Sequence, residues 1–320
     1  MVDNYWKGKK ILITGGTGFI GTHLSKELLL QEVELIVLDV SPKFALTSNI
    51  LTNSKKLKLK IFNLLDLDWQ DFLEKEHFDC IFHLAGNANV NSSVSDPISD
   101  FNSNILLSIR ILESLRKISY RGKFIFPSSA AVYGNPKKLP IYEDDPTVPI
   151  SPYGVSKLTI ERYISIYSKL YGIQAASIRL FSIYGPGQRK LVIYDLLKKT
   201  SQNGSFLNLY GDGSQTRDFI FIQDVINGLL TIAKNGKLNG EVYNLATGVE
   251  YSIQDIVEKL SNLLNINPKI IFSGSVRLGE PERWAVNINN LKRLGFKPKT
   301  SLEEGLIQTI TWFKEENDQF

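Results

Sequence analysis

Strand-like runs recur along the first half of the chain, separated by longer stretches of helical periodicity. Ile11-Leu12-Ile13 is the first, wholly apolar; the others are Glu34 to Leu38, Leu57 to Phe62, Phe78 to Leu84 and Lys123 to Phe126. A strand buried on both faces has no polar face, so an apolar run suits the centre of a parallel sheet. Between the runs lie helix patterns: one through His23, Leu24, Leu28 and Leu29, a long one from Pro97 to about Ser119, and one from Pro152 to Tyr171. This alternation predicts an α/β fold with a doubly wound parallel sheet, whose ligand crevice opens at the carboxyl ends of the strands. After Arg179 the regularity weakens. Glycine and proline cluster at 185–187, and helical runs appear near Lys190–Ser201, Asp224–Ala233, Ile253–Leu264 and Leu302–Phe313. Residues 1–180 are therefore expected to form the sheet domain and residues 181–320 a smaller mixed α/β substrate domain, with no internal repeat.

The turn after the first run narrows the picture. Lys10 to Gly21 reads KILITGGTGFIG, a strand, a glycine turn and a helix start. Gly15, Gly18 and Gly21, with Phe19 and Ile20 between them, are expected to bring backbone and helix N-terminus against a pyrophosphate. The second strand ends at Asp39. A carboxylate there accepts hydrogen bonds from an adenosine ribose and repels a 2′-phosphate, which favours NAD over NADP. The first domain thus reads as a Rossmann-type sheet. His83-Leu84-Ala85-Gly86 closes the fourth run. Leu84, Ala85 and Gly86 leave room for a cofactor, and His83 is expected to satisfy local hydrogen bonds rather than do chemistry.

The fifth run delivers Ser128 and Ser129 to the same edge. Ser151 is placed as the N-cap of the following helix and Pro152 as its first residue. Tyr153 and Lys157, four apart, project from one face of that helix. A lysine cation and the helix N-terminus both favour a phenolate, so a lowered tyrosine pKa is expected, with a serine hydroxyl sharing the substrate's proton.

Composition adds exclusions. The 320 residues are 43% hydrophobic and 22% charged, with a net charge of +4. The densest basic run, Lys55 to Lys60, alternates with leucine like a strand with one wet face, which argues against a nucleic-acid surface. The one cysteine, Cys80, sits in an apolar run, is expected in the core, and points to a reducing, cytoplasmic setting. No leader pattern, membrane-length apolar run or metal motif is visible.

In order and spacing, TGGTGFIG, HLAG, SSAAVYG, YGVSK, RLFSIYGPGQR and GDGSQTRDFIFIQDV resemble the extended short-chain dehydrogenase/reductases, and within them the NAD-dependent nucleotide-sugar epimerase/dehydratase family. The resemblance covers nearly the whole chain. It implies Ser129, Tyr153 and Lys157 as the catalytic set. It implies NAD contacts at the glycine turn, Asp39, Asn63, Leu64, Leu84 to Gly86, Asn104 and Phe181. Ser129, Ser182, Arg217 and Arg277 would touch a nucleotide-diphosphate sugar, the arginines on its diphosphate. It also implies that the chain returns to the sheet through Phe219 to Ile222 and Glu241 to Leu245. Asn63 stands where the family usually has Asp, Ser182 where it often has Asn, and Lys190-Leu191 where many members carry another Asn.

The activity implied is 4-epimerization through a transient 4-keto sugar. Ser129-Ala130-Ala131 lacks the Thr-Asp-Glu arrangement of the dehydratases, whereas a C4 dehydrogenase or 4-keto reductase needs the same three residues. A non-catalytic NAD-sensing protein would need no such set. Apolar positions taken as outward, namely Ile105, Ile109, Leu112, Ile160, Tyr163 and Tyr167, together with the resemblance, imply a homodimer through a four-helix interface.

Overall fold

The computed structural model describes residues 4–42, 54–202, 206–274 and 283–317. Its strands are β1 (Lys10–Thr14), β2 (Glu34–Asp39), β3 (Leu57–Ile61), β4 (Cys80–His83), β5 (Lys123–Ser129), β6 (Gln174–Leu180), β7 (Ser182–Tyr184), β8 (Phe206–Leu209), β9 (Thr216–Phe221), β10 (Asn239–Leu245), β11 (Glu250–Ser252) and β12 (Lys269–Phe272). Seven of them make one sheet in the order β10-β6-β5-β4-β1-β2-β3, every pair parallel.

Successive side chains of a strand point to opposite faces, so each apolar run serves two cores. On one face Ile11, Ile13, Phe82 and Ile125 meet Leu24 and Leu28 of the helix Phe19–Leu30. On the other, Leu12, Ile81, Phe124 and Phe126 meet the helices Trp69–Glu76, Leu107–Lys117 and Pro152–Tyr171. The doubly wound α/β sheet expected from the sequence is therefore present. Cys80 lies in its core, 1% exposed.

The return to the sheet differs from expectation at one point. Glu241–Leu245 does join it, inside β10 beside β6. Phe219–Phe221 instead belongs to β9, in a separate three-stranded sheet between β7 and β11. The returning element is the helix Ile222–Asn235, directly after β9. It buries Val225, Ile226 and Leu229 in the same core as Ile11 and Leu24. Strands β8 and β12 form a further two-stranded sheet.

The outward positions also need correction. Leu112 and Ile160 are fully buried against the sheet, and Ile105, Ile109 and Tyr167 are half-buried there. Tyr163 is exposed as expected, and the outer faces of the two helical segments also expose Ile98, Phe101, Val155, Ile166 and Leu170. Within Pro97–Lys117 a π-helical turn spans Phe101–Leu106. Among the described residues no helix is long and apolar enough to cross a membrane, and no cluster of metal-ligating side chains occurs.

Candidate active site

At the end of β1 the chain turns at Gly15 with φ +70°, and a Cβ there would lie 2.6 Å from the Ala85 nitrogen. Only glycine fits both the conformation and the gap. Gly21 is equally constrained, since its Cβ would meet the Gly15 oxygen at 2.5 Å. Gly18 caps the helix Phe19–Leu30 without a side-chain hydrogen bond, so no side chain competes with an anion for the first amides. Asp39 closes the turn from the side: its Oδ2 accepts from Thr17 N at 2.9 Å and its Oδ1 from Val40 N at 2.7 Å. Asn63 Oδ1 accepts from Leu65 N at 3.2 Å, capping the short turn Leu64–Asp66.

Behind the next strand end runs a hydrogen-bond relay. Ser108 Oγ donates to the Asn104 carbonyl at 2.5 Å, so it accepts from His83 Nε2 at 2.9 Å. His83 Nδ1 must then accept from Thr14 Oγ1, at 2.7 Å, and Thr14 Oγ1 in turn accepts from Ala85 N at 3.3 Å. Burial holds the imidazole down to about 3, so it is neutral and serves these local hydrogen bonds. Asn104 does not line the crevice. It lies behind Gly86, where a Cβ would come within 2.4 Å of its Oδ1, and its Nδ2 donates to Asp100 at 2.9 Å and to the Asn87 carbonyl at 3.2 Å. Its Oδ1 is buried without a partner.

Strand β5 ends at Ser129, whose Oγ accepts from Ala131 N at 3.2 Å and is thereby aimed, with its own proton free to donate. Ser151 caps the next helix through Gly154 N at 3.2 Å, with Pro152 in the first position, as the sequence indicates. Lys157 Nζ donates to the Pro127 carbonyl at 3.2 Å and lies 5.8 Å from the centre of the Tyr153 ring. The expected lowering of the phenol is not found. Burial pushes Tyr153 up to about 12, against a hydrogen bond from Ser129, and the charge of Asp100 adds to the rise. Burial likewise brings Lys157 down to about 8, against the charges of Asp100 and Glu161. Desolvation outweighs the lysine and helix-end effects that the sequence suggests.

Gly15, Gly18, Phe19, Ile20, Gly21, Asp39, Asn63, Leu64, Leu84, Ala85, Gly86, Ser129, Tyr153, Lys157, Phe181, Ser182 and Arg217 all line one crevice of about 1190 Å³. Arg277 falls outside the described residues. Arg217 donates from Nη1 to the Thr216 carbonyl at 2.8 Å, and its guanidinium lies 5.1 Å from the Trp284 ring. The sequence reading missed Trp284. It packs edge-on against Phe181 at 5.6 Å, walls the crevice, and keeps its Nε1 buried without a partner. No motif signals it. Asp100 was missed as well, although its spacing of four from Asn104 on one helical face is a usable sign.

A crevice at the carboxyl edge of a parallel sheet, with a glycine turn, an acid after β2 and a Tyr-x-x-x-Lys helix, defines a dinucleotide-dependent enzyme of the short-chain dehydrogenase type. The sequence profile of the NAD-dependent epimerase/dehydratase family matches residues 11–246, and the chain belongs to that family, whose cofactor is NAD. A UDP-glucose 4-epimerase of Mycolicibacterium smegmatis is 30% identical over 95% of this chain and 98% of its own. Among solved structures, the UDP-glucuronic acid 4-epimerase of Bacillus cereus in complex with UDP-glucuronic acid and NAD is 31% identical, with a TM-score of 0.86 over 96% of this chain and 99% of that one. The UDP-N-acetylglucosamine 4-epimerase of Methanobrevibacter ruminantium in complex with UDP-N-acetylmuramic acid is 30% identical, with a TM-score of 0.86 over 97% of this chain and 99% of that one. The backbone-tight glycines and the uncapped helix N-terminus fit a pyrophosphate, so this chain's residues suit the family's cofactor.

Proposed function

We propose that the chain is a nucleotide-sugar 4-epimerase working through a transient 4-keto sugar. The observation that carries this reading is the meeting of Ser129, Tyr153 and Lys157 at one crevice, followed by Ala130-Ala131 where a dehydrating enzyme needs an acid and a base. NAD, when bound, supplies the acceptor and donor of the C4 hydride and a positive ring charge. Tyr153, as phenolate, takes the proton of the sugar 4-hydroxyl, and Ser129 bridges the two oxygens. Lys157 holds the cofactor ribose and stabilises the phenolate. Asp39 would hold the adenosine ribose, the glycine turn and the amides of Phe19 and Ile20 would hold the pyrophosphate, and Phe181 would serve the nicotinamide end. Arg217, joined by Arg277, holds the sugar nucleotide's diphosphate through its guanidinium fork. Ser182, Lys190 and Leu191 lie nearer the sugar or base.

A panel of nucleotide sugars, each incubated with the enzyme and resolved by chromatography, tests the proposal. Interconversion of 4-epimers without net change in NAD supports it. Accumulation of a 4-keto product with stoichiometric NADH would replace it with the second reading, a C4 dehydrogenase or 4-keto reductase using the same three residues.

Cofactor choice and assembly are tested separately. Asp39→Ala should reduce the preference for NAD over NADP by ~10-fold or more, about 1.4 kcal/mol, because the charge that repels a 2′-phosphate is gone. Fluorescence titration measures it, and equal affinity of the wild type for both cofactors refutes the assignment. The exposed Ile98, Phe101, Val155, Tyr163, Ile166 and Leu170 form an apolar face over two neighbouring helices. A second copy would cover it in a four-helix interface about a two-fold axis. Light scattering at micromolar protein should give twice the 36.1 kDa chain mass, and a monomer would rule the interface out.

A further inference from the structure

The epimerase chemistry leaves Asp100 unused. Its carboxyl is 1% exposed, and the groups that bond it are all neutral. Oδ1 accepts from Asn87 Nδ2 at 2.8 Å and Asn104 Nδ2 at 2.9 Å, and Oδ2 accepts from Ser156 Oγ at 2.6 Å. One carboxylate thus ties the loop after Gly86, the π-helical turn and the residue preceding Lys157. Burying a charge is costly, and a neutral amide could meet the same three groups. The charge itself needs another reason.

The charged and titratable groups around it are few. Helix Pro152–Tyr171 brings Tyr153, Lys157 and Glu161, but Glu161 is paired with Arg179 of β6 at 2.7 Å. Strand β4 brings His83, held neutral by burial. The carboxyl end of β5 brings the hydroxyls of Ser128 and Ser129, and Asp96 at the start of Asp100's own segment is exposed. Lys157 is the cation left facing the field of Asp100, and Tyr153 the acid.

We propose that Asp100 is a positioning residue of the catalytic pair: its buried carboxylate ties Asn87, Asn104 and Ser156 together beside Lys157 and Tyr153, and its negative charge acts on both of them. The inference rests on the epimerase reading for the roles of Tyr153 and Lys157. Burial draws the Lys157 amine down to about 8, and Asp100 and Glu161 oppose that fall. The same charge opposes ionisation of Tyr153, after burial. Removing a negative charge weakens proton binding at every coupled site, so both midpoints must fall together.

The test is Asp100→Asn. The amide oxygen still accepts from Asn87 and Asn104, and the amide nitrogen donates to Ser156 Oγ once that hydroxyl turns round. Carbon-13 labels at tyrosine Cζ and lysine Cε in the full-length protein, assigned with Tyr153→Phe and Lys157→Ala, report the two midpoints. Both should fall by about 0.5 pH unit or more, and the acid limb of kcat/KM should move the same way, raising the rate below it ~3-fold. Ser156→Ala keeps the charge and removes a partner, so it should leave both midpoints in place. Unmoved midpoints in Asp100→Asn, or an equal shift in Ser156→Ala, overturn the proposal. Should Asp100→Asn not fold, Asp100→Ser is read the same way; if neither folds, the carboxylate is structural and the proposal fails. Absence of sugar-nucleotide turnover would sink the epimerase reading while the midpoints still decide on Asp100. Turnover with unmoved midpoints would sink Asp100 alone.

Discussion

Tyr153→Phe should abolish nearly all turnover while the protein still binds NAD and sugar nucleotide. The substitution keeps the ring and removes the oxygen proposed to take the 4-hydroxyl proton. Binding should change by only ~1 kcal/mol, the scale of a lost hydrogen bond. Turnover should fall ~10²–10⁴-fold, because hydride leaves C4 readily only as its hydroxyl loses the proton. Single-turnover reduction of bound NAD, followed by absorbance after addition of substrate, measures the step directly. A wild-type rate would show that Tyr153 is not the base. Lys157→Ala should also slow this step but weaken NAD binding with it, and Arg217→Ala should chiefly weaken sugar-nucleotide binding. The three variants thus separate proton transfer from cofactor and diphosphate recognition.

The second large effect is on stability. Arg179 and Glu161, 3% and 2% exposed, form an ion pair at 2.7 Å. The guanidinium also donates to Tyr133 Oη at 2.7 Å and to the Glu143 carbonyl at 2.9 Å, and Ser128 Oγ donates to Glu161 at 2.5 Å. Arg179→Ala would leave Glu161 charged and buried without its partner, at a cost of about 3–5 kcal/mol. Urea unfolding should show this as a lower midpoint at unchanged slope. Replacing both residues by methionine should recover much of the loss, since a buried pair exchanged for apolar volume is often near neutral. A single variant as stable as the wild type would mean that water reaches the site.

The parts of the site written in local spacing were legible in the sequence. Gly15 and Gly21 leave no room for a Cβ, so the requirement falls directly on residue identity. Ser151, Pro152, Tyr153 and Lys157 lie within two turns of one helix, where spacing alone fixes the shared face. Other features depend on what packs from afar. The run Phe219–Phe221 is as apolar as a central strand, but it pairs with Ser182–Tyr184, a choice that no local pattern encodes. Leu112 shares a stripe of spacing four and three with Ile105 and Ile109, and that apolar stripe packs on the sheet rather than facing outward; which apolar stripe of a helix is covered depends on the sheet beneath it. Ile160 sits between Ser156 and Ile164 on the buried face of its helix, a face that also carries Lys157 and Glu161 and so does not read as apolar. The raised phenol of Tyr153 reflects burial, which becomes visible only when the crevice walls are assembled.

The helix Ile222–Asn235 and strand β10 come from the second half of the chain yet complete the first half's layers. A fragment ending at Leu180 would therefore leave β6 as a naked edge and one flank of the sheet uncovered, an invitation to self-association. The nucleotide-binding half is thus no detachable module. Shuffling this protein by swapping halves at residue 180 would separate pieces that depend on each other to fold.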